Sequence, residues 1–255
     1  MSQAKPIKDV VRKKYAALAQ GAASPCCAKD PCCGDATSDI STGYSREELS
    51  RIPQKANLGL GCGNPIAQAG IHSGEIVVDL GSGAGIDCFL AAQRVGERGY
   101  VIGIDMTEAM LDRARENARS GGYTNVEFRL GEIEDIPVDP GSIDLVISNC
   151  VINLAPDKER VFREIYRILR PGGRFCVSDV VAKGTIPADV RADMEKWAGC
   201  IAGALDKQEY LDIVRRVGFG DITIKSEVDY DYQKSDGYSL ASITLLARKP
   251  NGFAG

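Results

Sequence analysis

Histidine is nearly missing from this chain: His72 is the single one in 255 residues. That leaves little room for imidazole acid–base catalysis or for a His-rich metal site. Excess positive charge is missing too. The formal net charge is -4, so there is no electrostatic reason to expect nucleic acid or an anionic membrane as partner. No apolar run approaches the length of a membrane span, and the opening MSQAKPIKDVVRKKYAALAQ has no signal-peptide apolar core. The expectation is a cytoplasmic protein, a monomer, acting on a small molecule. Against these absences stand nine cysteines. In a reducing compartment cysteines are reactive or metal-binding more often than disulfide-bonded. An odd number cannot all pair within one chain.

Residues 6–20 read as a short amphipathic helix. Residues 21–43 are rich in Gly, Ala, Ser, Asp and Cys without a period, which reads as a loop. Ser45-Arg-Glu-Glu48 has the spacing of a capping box, so a helix should start there. The Gly-rich stretch from Asn57 to Pro65 reads as a turn. A regular alternation follows. Strands are expected at Glu75–Leu80, Tyr100–Asp105, Val126–Leu130, Ser142–Ser148 and Arg174–Val181. Helices are expected at Ala84–Val95, Glu108–Ser120 and Lys158–Leu169. This order predicts an α/β fold, a mostly parallel sheet with helices on both faces. The last third predicts helices over Ala188–Leu205 and Lys207–Val217, then strands over Asp221–Val228 and Tyr238–Arg248 that finish the sheet antiparallel. The expected organisation is an N-terminal helix and Cys-rich arm (1–72) and a main domain (73–255), with a helical insertion at about 186–218.

The Val77–Gly85 segment (VVDLGSGAG) falls at a strand-to-helix turn. Ligands of parallel sheets bind at the carboxyl ends of strands, near the reversal of strand order. The spacing is G-x-G-x-G at Gly81, Gly83 and Gly85, not the spacing that suits a pyrophosphate. Asp79 beside the loop favours a cationic or hydroxyl-bearing ligand. Asp105 ends the second strand, where ribose hydroxyls could bind. Glu132 and Ile133 follow the third, as a polar and apolar pair for an adenine edge and face. Loop, Asp105 and Glu132 at successive strand ends together resemble a class I S-adenosylmethionine methyltransferase. A plain nucleotide-binding Rossmann domain is the blander alternative.

Three cysteines lie on segments expected near the same sheet edge. Cys150 follows the fourth strand, Cys62 sits between two glycines, and Cys200 sits among small residues on the inserted helix. Cys150 also fits a bland role as a small apolar filler, Cys62 fits an ordinary loop cysteine, and the small neighbours of Cys200 fit a close helix–helix contact. Cys88 and Cys176 read as buried fillers. Trp197 reads as cap packing, and the charges of 158–170 as a solvated helix face. The adjacent pairs Cys26-Cys27 and Cys32-Cys33 suit zinc poorly. Capture and delivery of a soft thiophilic element, a redox relay with Cys62 and adventitious binding of soft metal all remain open for them.

Four motifs carry a closer resemblance: SNCVINL at Ser148–Leu154 followed by Pro156-Asp-Lys158, LGLGCGNP ending at Pro65, GIDMT at Gly103–Thr107, and AGCIAGAL around Cys200. The chain resembles the arsenite (arsenic(III)) S-adenosylmethionine methyltransferase family from its first helix to about Gly218. The resemblance implies S-adenosylmethionine as cofactor, contacted by Asp79, Gly81, Gly83, Gly85, Asp105, Met106, Glu132, Ile133 and Asn149. It implies arsenic(III) held by Cys62, Cys150 and Cys200, and an N-terminal cysteine, Cys32 or Cys33 with Cys32 the nominal choice, that pairs with Cys62. The implied substrate is arsenite or its thiol conjugates, and the implied partner a thiol reductant of the thioredoxin or glutathione kind. Many family members carry an additional C-terminal domain; because the sequence runs only a few residues past Lys249, the function of that domain is expected to be absent or supplied otherwise.

The chemistry is coherent with the composition. Thiolates select soft centres, and thiol-for-hydroxyl exchange on arsenite needs no histidine. Two other functions stay open at this stage: methyl transfer to an ordinary O, N or C nucleophile, and metalloid binding without turnover.

Overall fold

The computed structural model describes residues 4–21, 43–230 and 237–252. Helix α1 (Ala4–Ala19) precedes α2 (Arg46–Ser50) and α3 (Pro65–Gln68). Then come β1 (Ile76–Leu80), α4 (Ile86–Val95), β2 (Tyr100–Asp105), α5 (Glu108–Gly121), β3 (Val126–Leu130) and β4 (Ile143–Asn149). The chain continues through α6 (Lys158–Ile168), β5 (Leu169–Gly184), α7 (Ala188–Ala192), α8 (Met194–Ala198), α9 (Lys207–Val217), β6 (Gly220–Asp229) and β7 (Tyr238–Arg248). The strands form one sheet in the order β3-β2-β1-β4-β5-β7-β6. The first five run parallel, and β7 enters antiparallel between β5 and β6. This is the expected α/β class, a Rossmann-like, mostly parallel sheet.

Strand alternation divides the core into two layers. Val78 and Leu80 of β1 point to one face, where Phe162 and Ile165 of α6 and Tyr210 and Val214 of α9 cover them. Val77 points to the other face, against Phe89 and Ala92 of α4 and Leu111 and Ala114 of α5. Both faces of the parallel strands are covered, which is why these strands read as continuous apolar runs. The order reverses at β1, whose neighbours are β2 on one side and β4 on the other. A crevice opens at that point beyond the strand ends.

The Ser45 capping box forms as expected, with Glu48 N–H donating to Ser45 Oγ at 3.1 Å and Ser45 N–H to Glu48 Oε2 at 2.9 Å. Two expectations need correction. The single helix expected over Ala188–Leu205 is two short helices, α7 and α8. Asp193 separates them with an extended backbone (φ -80°, ψ 111°), and its Oδ1 accepts from Glu195 N–H at 2.9 Å and Lys196 N–H at 3.1 Å. A side chain that caps a new helix ends the previous one. β5 also outruns Arg174–Val181, because its antiparallel pairing with β7 continues to Gly184 opposite Tyr238.

Candidate functional site at the strand ends

A cavity lies beyond β1, β2 and β4, where ligands of parallel sheets bind. Gly81 and Gly83 bring the backbone to its wall with φ of +69° and +52°. A Cβ at Gly81 would meet Val151 Cγ2 at 2.3 Å, so glycine is required there. A Cβ at Gly83 would meet nothing within 4 Å. Asp105 faces the cavity and holds the loop, accepting from Gly83 N–H at 3.0 Å and Thr107 N–H at 2.8 Å. Burial pushes its carboxyl up while these bonds pull it down. Met106, Met110 and Ile133 supply apolar wall, and Asn149 and Cys150 close the side at β4.

Three of the expected contacts stand outside this lining. Asp79 is buried behind the loop, accepts from Cys88 Sγ at 3.2 Å, and burial pushes its carboxyl well up. Gly85 is the left-handed N-cap of α4, and a Cβ there would meet Phe89 Cε2 at 2.7 Å. Glu132 turns away from the cavity. Its carboxylate accepts from Lys8 Nζ at 2.7 Å and pairs with Arg12 at 3.4 Å, because α1 presents both cations to it. Gly131, Ile133 and Glu134 line the cavity in its place.

Sequence reasoning missed several parts of the wall. Lys8, Val11 and Tyr15 of α1 close over the cavity, and Lys8 also pairs with Glu134 at 3.0 Å. Asp87 lies on the wall, and burial raises its carboxyl to about 6. Its position two residues past Gly85 was the available signal. Tyr44, buried behind Asp87, had none beyond its place before the capping box.

The residues present fit a cationic nucleoside cofactor. Ser82 Oγ is buried on the cavity wall without a hydrogen-bond partner among the described residues, and a bound polar ligand would satisfy it. Asp87 and Asp105 stand on the cavity wall beside the Gly loop, with Asp79 buried behind it. Carboxylates on that wall suit a sulfonium and disfavour a phosphate.

The thiol side is assembled from three distant segments. Cys62 and Cys150 both pack against the apolar cluster that contains Cys200. Cys200 Sγ also donates to the Cys150 carbonyl at 3.1 Å. The neighbouring Cys200 and Cys62 thiols push the Cys150 thiol well up, and burial pushes up Cys62. Among the described residues no group of three or more His, Cys, Asp or Glu forms a preformed metal cage. The trio is instead gathered at one apolar cluster, with one hydrogen bond, from Cys200 Sγ to the Cys150 carbonyl, within it. Cys88 and Cys176 are fully buried, as fillers should be. The cysteines Cys26, Cys27, Cys32 and Cys33 lie outside the described residues.

Backbone strain marks the same place. Cys150 and Cys200 have φ of +61° and +63°, unusual for residues with a Cβ. Such conformations cost about 1–3 kcal/mol each and persist only where surroundings enforce them. Cys150 N–H donates to the Ser178 carbonyl at 2.7 Å. Cys200 was expected on a helix, but it falls just past the α8 cap at Gly199. The small residues after it allow close approach: a Cβ at Gly203 would meet the Asn153 carbonyl oxygen at 2.1 Å. Beneath the thiols, Asp179 and Lys158 are buried, and burial drives both toward their neutral forms. Trp197 does pack the cap, 5.6 Å from Lys158 Nζ.

The comparisons agree with this geometry. Residues 71–218 match a family model described as a methyltransferase domain. An arsenite methyltransferase of Halobacterium salinarum is 45% identical over 95% of this chain and 66% of its own length. The Mus musculus arsenite methyltransferase is 38% identical over 69% of this chain and 49% of its own. The chain thus spans about half to two thirds of these relatives. Among solved structures, an arsenic(III) S-adenosylmethionine methyltransferase from Chlamydomonas reinhardtii superposes with a TM-score of 0.69 at 39% identity, covering 82% of this chain and 72% of that one. Neighbours near 18% identity, such as the cyclase SpnF at a TM-score of 0.64, share the fold alone. The chain belongs to the arsenic(III) S-adenosylmethionine methyltransferase family.

Proposed function

We propose that the protein transfers methyl groups from S-adenosylmethionine to arsenic(III) bound by Cys62, Cys150 and Cys200, as a detoxifying arsenite methyltransferase. The observation that carries this reading is the Cys150 position. It lines the cavity on one side, and on the other its carbonyl accepts from Cys200 Sγ at 3.1 Å beside the apolar cluster against which Cys62 also packs.

The cofactor, when bound, supplies an electrophilic sulfonium methyl. Gly81 and Gly83 admit it close to the backbone, Asp105 and Ser82 offer polar contacts, and Met106 and Ile133 offer apolar ones. Helix α1 closes over it and excludes water. The pushed-up thiols of Cys62 and Cys150 meet arsenite protonated. Each condenses with an As–OH group: an As–S bond forms, an As–O bond breaks, and the thiol proton leaves with the hydroxide as water. Three such exchanges leave arsenic with one lone pair as nucleophile. The protein's contribution is to hold that lone pair in line with the methyl group, a proximity and orientation effect. Residues 1–72 serve as the closing arm, and the insertion at about 186–218 delivers Cys200. Donating the lone pair to the methyl group raises the formal oxidation state of arsenic by two. Two thiols return it to arsenic(III) by closing to a disulfide, and a thioredoxin-like or glutathione-like reductant reopens that disulfide, with an N-terminal cysteine, nominally Cys32, relaying to Cys62.

Incubation with isotopically labelled cofactor, arsenite and a thiol reductant tests the reading. The expected result is label in methylated arsenic species by mass spectrometry. Label only in organic acceptors, or arsenic bound without turnover, would overturn it.

A further inference from the structure

The buried hydroxyl of Tyr44 lies between the cofactor cavity and the Cys62 loop and belongs to neither. Three hydrogen bonds link the two through it in one sense. Cys62 N–H donates to Asn149 Oδ1 at 3.0 Å, Asn149 Nδ2 donates to Tyr44 Oη at 2.8 Å, and Tyr44 O–H donates to Asp87 Oδ1 at 2.6 Å. A fourth bond returns from Asn149 Nδ2 to the Gly63 carbonyl at 2.8 Å. The relay ends on Asp87, which stands on the cavity wall.

The direction has a cause. Tyr44 has one proton, and a carboxylate can only accept. With its proton committed to Asp87, Tyr44 Oη can only accept from Asn149. The Asn149 amide is then oriented, with its NH₂ toward Tyr44 and Gly63 and its oxygen toward Cys62 N–H. Burial and the facing carboxylate keep Tyr44 a neutral phenol. The loop is gripped elsewhere as well: Ser242 Oγ donates to the Cys62 carbonyl at 2.6 Å. Gly61 has φ of +125°, and a Cβ there would meet Asn149 Nδ2 at 2.9 Å. The turn thus lies flat against the asparagine.

We infer that Tyr44 is a positioning residue, which through Asn149 sets the Cys62 thiol for the arsenic acceptor and ties it to the Asp87 wall of the cofactor cavity. The inference rests on the arsenic reading of the three thiols. Inorganic arsenite can engage all three thiols, whereas an arsenical that already carries one methyl group has two exchangeable positions and can be held by Cys150 and Cys200. Loss of Cys62 placement therefore weighs on the first acceptor and spares the second.

The test is Tyr44→Phe in the full chain, with thiol reductant present, assayed on arsenite and on methylarsenite. The expected result is a drop of about 10-fold or more on arsenite, in the range for lost ligand-orienting partners, and less than about 2-fold on methylarsenite. Binding of S-adenosylhomocysteine is expected to change by less than about 3-fold on the same reasoning. A merely structural role would lower both activities together, and an unchanged ratio overturns the inference. If the unmodified protein methylates neither arsenical, the arsenic reading fails instead. Iodoacetamide labelling followed by peptide mass spectrometry then still decides the positioning role: Tyr44→Phe must change the rate at Cys62 relative to Cys200, and equal relative rates overturn it. Should Tyr44→Phe fail to fold, Asn149→Asp keeps the acceptor for Cys62 N–H, loses the donor, and is judged by the same two ratios.

Discussion

The wall at the Gly81–Ala84 loop and the thiol cluster meet at Cys150, yet they are built in opposite ways. The loop takes its partners from neighbouring strand ends: the Ile104 carbonyl accepts from Gly81 N–H at 2.7 Å and from Ser82 N–H at 3.0 Å, and Asp105 accepts from Gly83. Parallel pairing of β1 with β2 brings these groups together, and the Asn117 side chain of α5 adds a bond to the Ala84 carbonyl at 3.0 Å. The thiols come from a turn before β1, the end of β4 and a turn beyond α8. Their meeting depends on strained backbones at Cys150 and Cys200, on Asn149 and Ser242 gripping the Cys62 turn, and on Gly203 admitting the last segment. A ligand site made by a sheet edge tolerates change in its periphery. A site made by convergence is exposed to every element that delivers a part.

The sharpest break in that contrast is Cys150→Ser or Cys200→Ser. Arsenite methylation is expected to fall by at least about 100-fold through loss of acceptor placement, with S-adenosylhomocysteine binding intact by calorimetry. Full activity in either purified variant would dissolve the division between the two sites. Gly81→Ala attacks the opposite side. The left-handed φ costs about 1–2 kcal/mol, and the overlap with Val151 about 1–3 kcal/mol more. Weaker cofactor binding and a lower Tm are expected, and because Val151 follows Cys150, arsenite binding should weaken less than cofactor binding.

Asp87→Asn probes the wall between the sites. Burial raises the Asp87 pKa from 3.8 to about 6, so the folded protein holds the extra proton in that window. This contribution to stability is full below about pH 3.8 and is lost as pH rises through about 6. The neutral amide removes the buried charge and still accepts from Tyr44. At pH 8 it should stabilise the fold by on the order of 1–3 kcal/mol, read as a higher Tm, while weakening the cationic cofactor. A variant with lower Tm at pH 8 than at pH 5, by the same margin as the parent, would show that Asp87 does not carry this charge cost.

Much of the fold was legible in the chain. The bounds of β2, β3, α9 and β7 follow from apolar periodicity and from stops at Gly and Asp, which are local causes. Gly81, Gly83, Asp105, Met106, Ile133, Asn149 and Cys150 stand on the cavity wall where their places at strand ends put them. Glu132 does not, because its side chain answers to Lys8 and Arg12 on a helix more than a hundred positions away in sequence. The break at Asp193 was readable as a cap but was outweighed by the helical composition around it.

Sequence alone therefore determined the α/β alternation, the glycine loop and the supply of thiols. Those properties are carried by side-chain period, by backbone freedom at glycine and by residue type. Only the tertiary structure decided which carboxylates face the cavity, which cysteines gather and how Tyr44 joins the Cys62 loop to Asp87. These depend on packing between segments far apart in the chain, where one buried hydrogen bond or one ion pair sets the direction of a side chain and no local pattern records it.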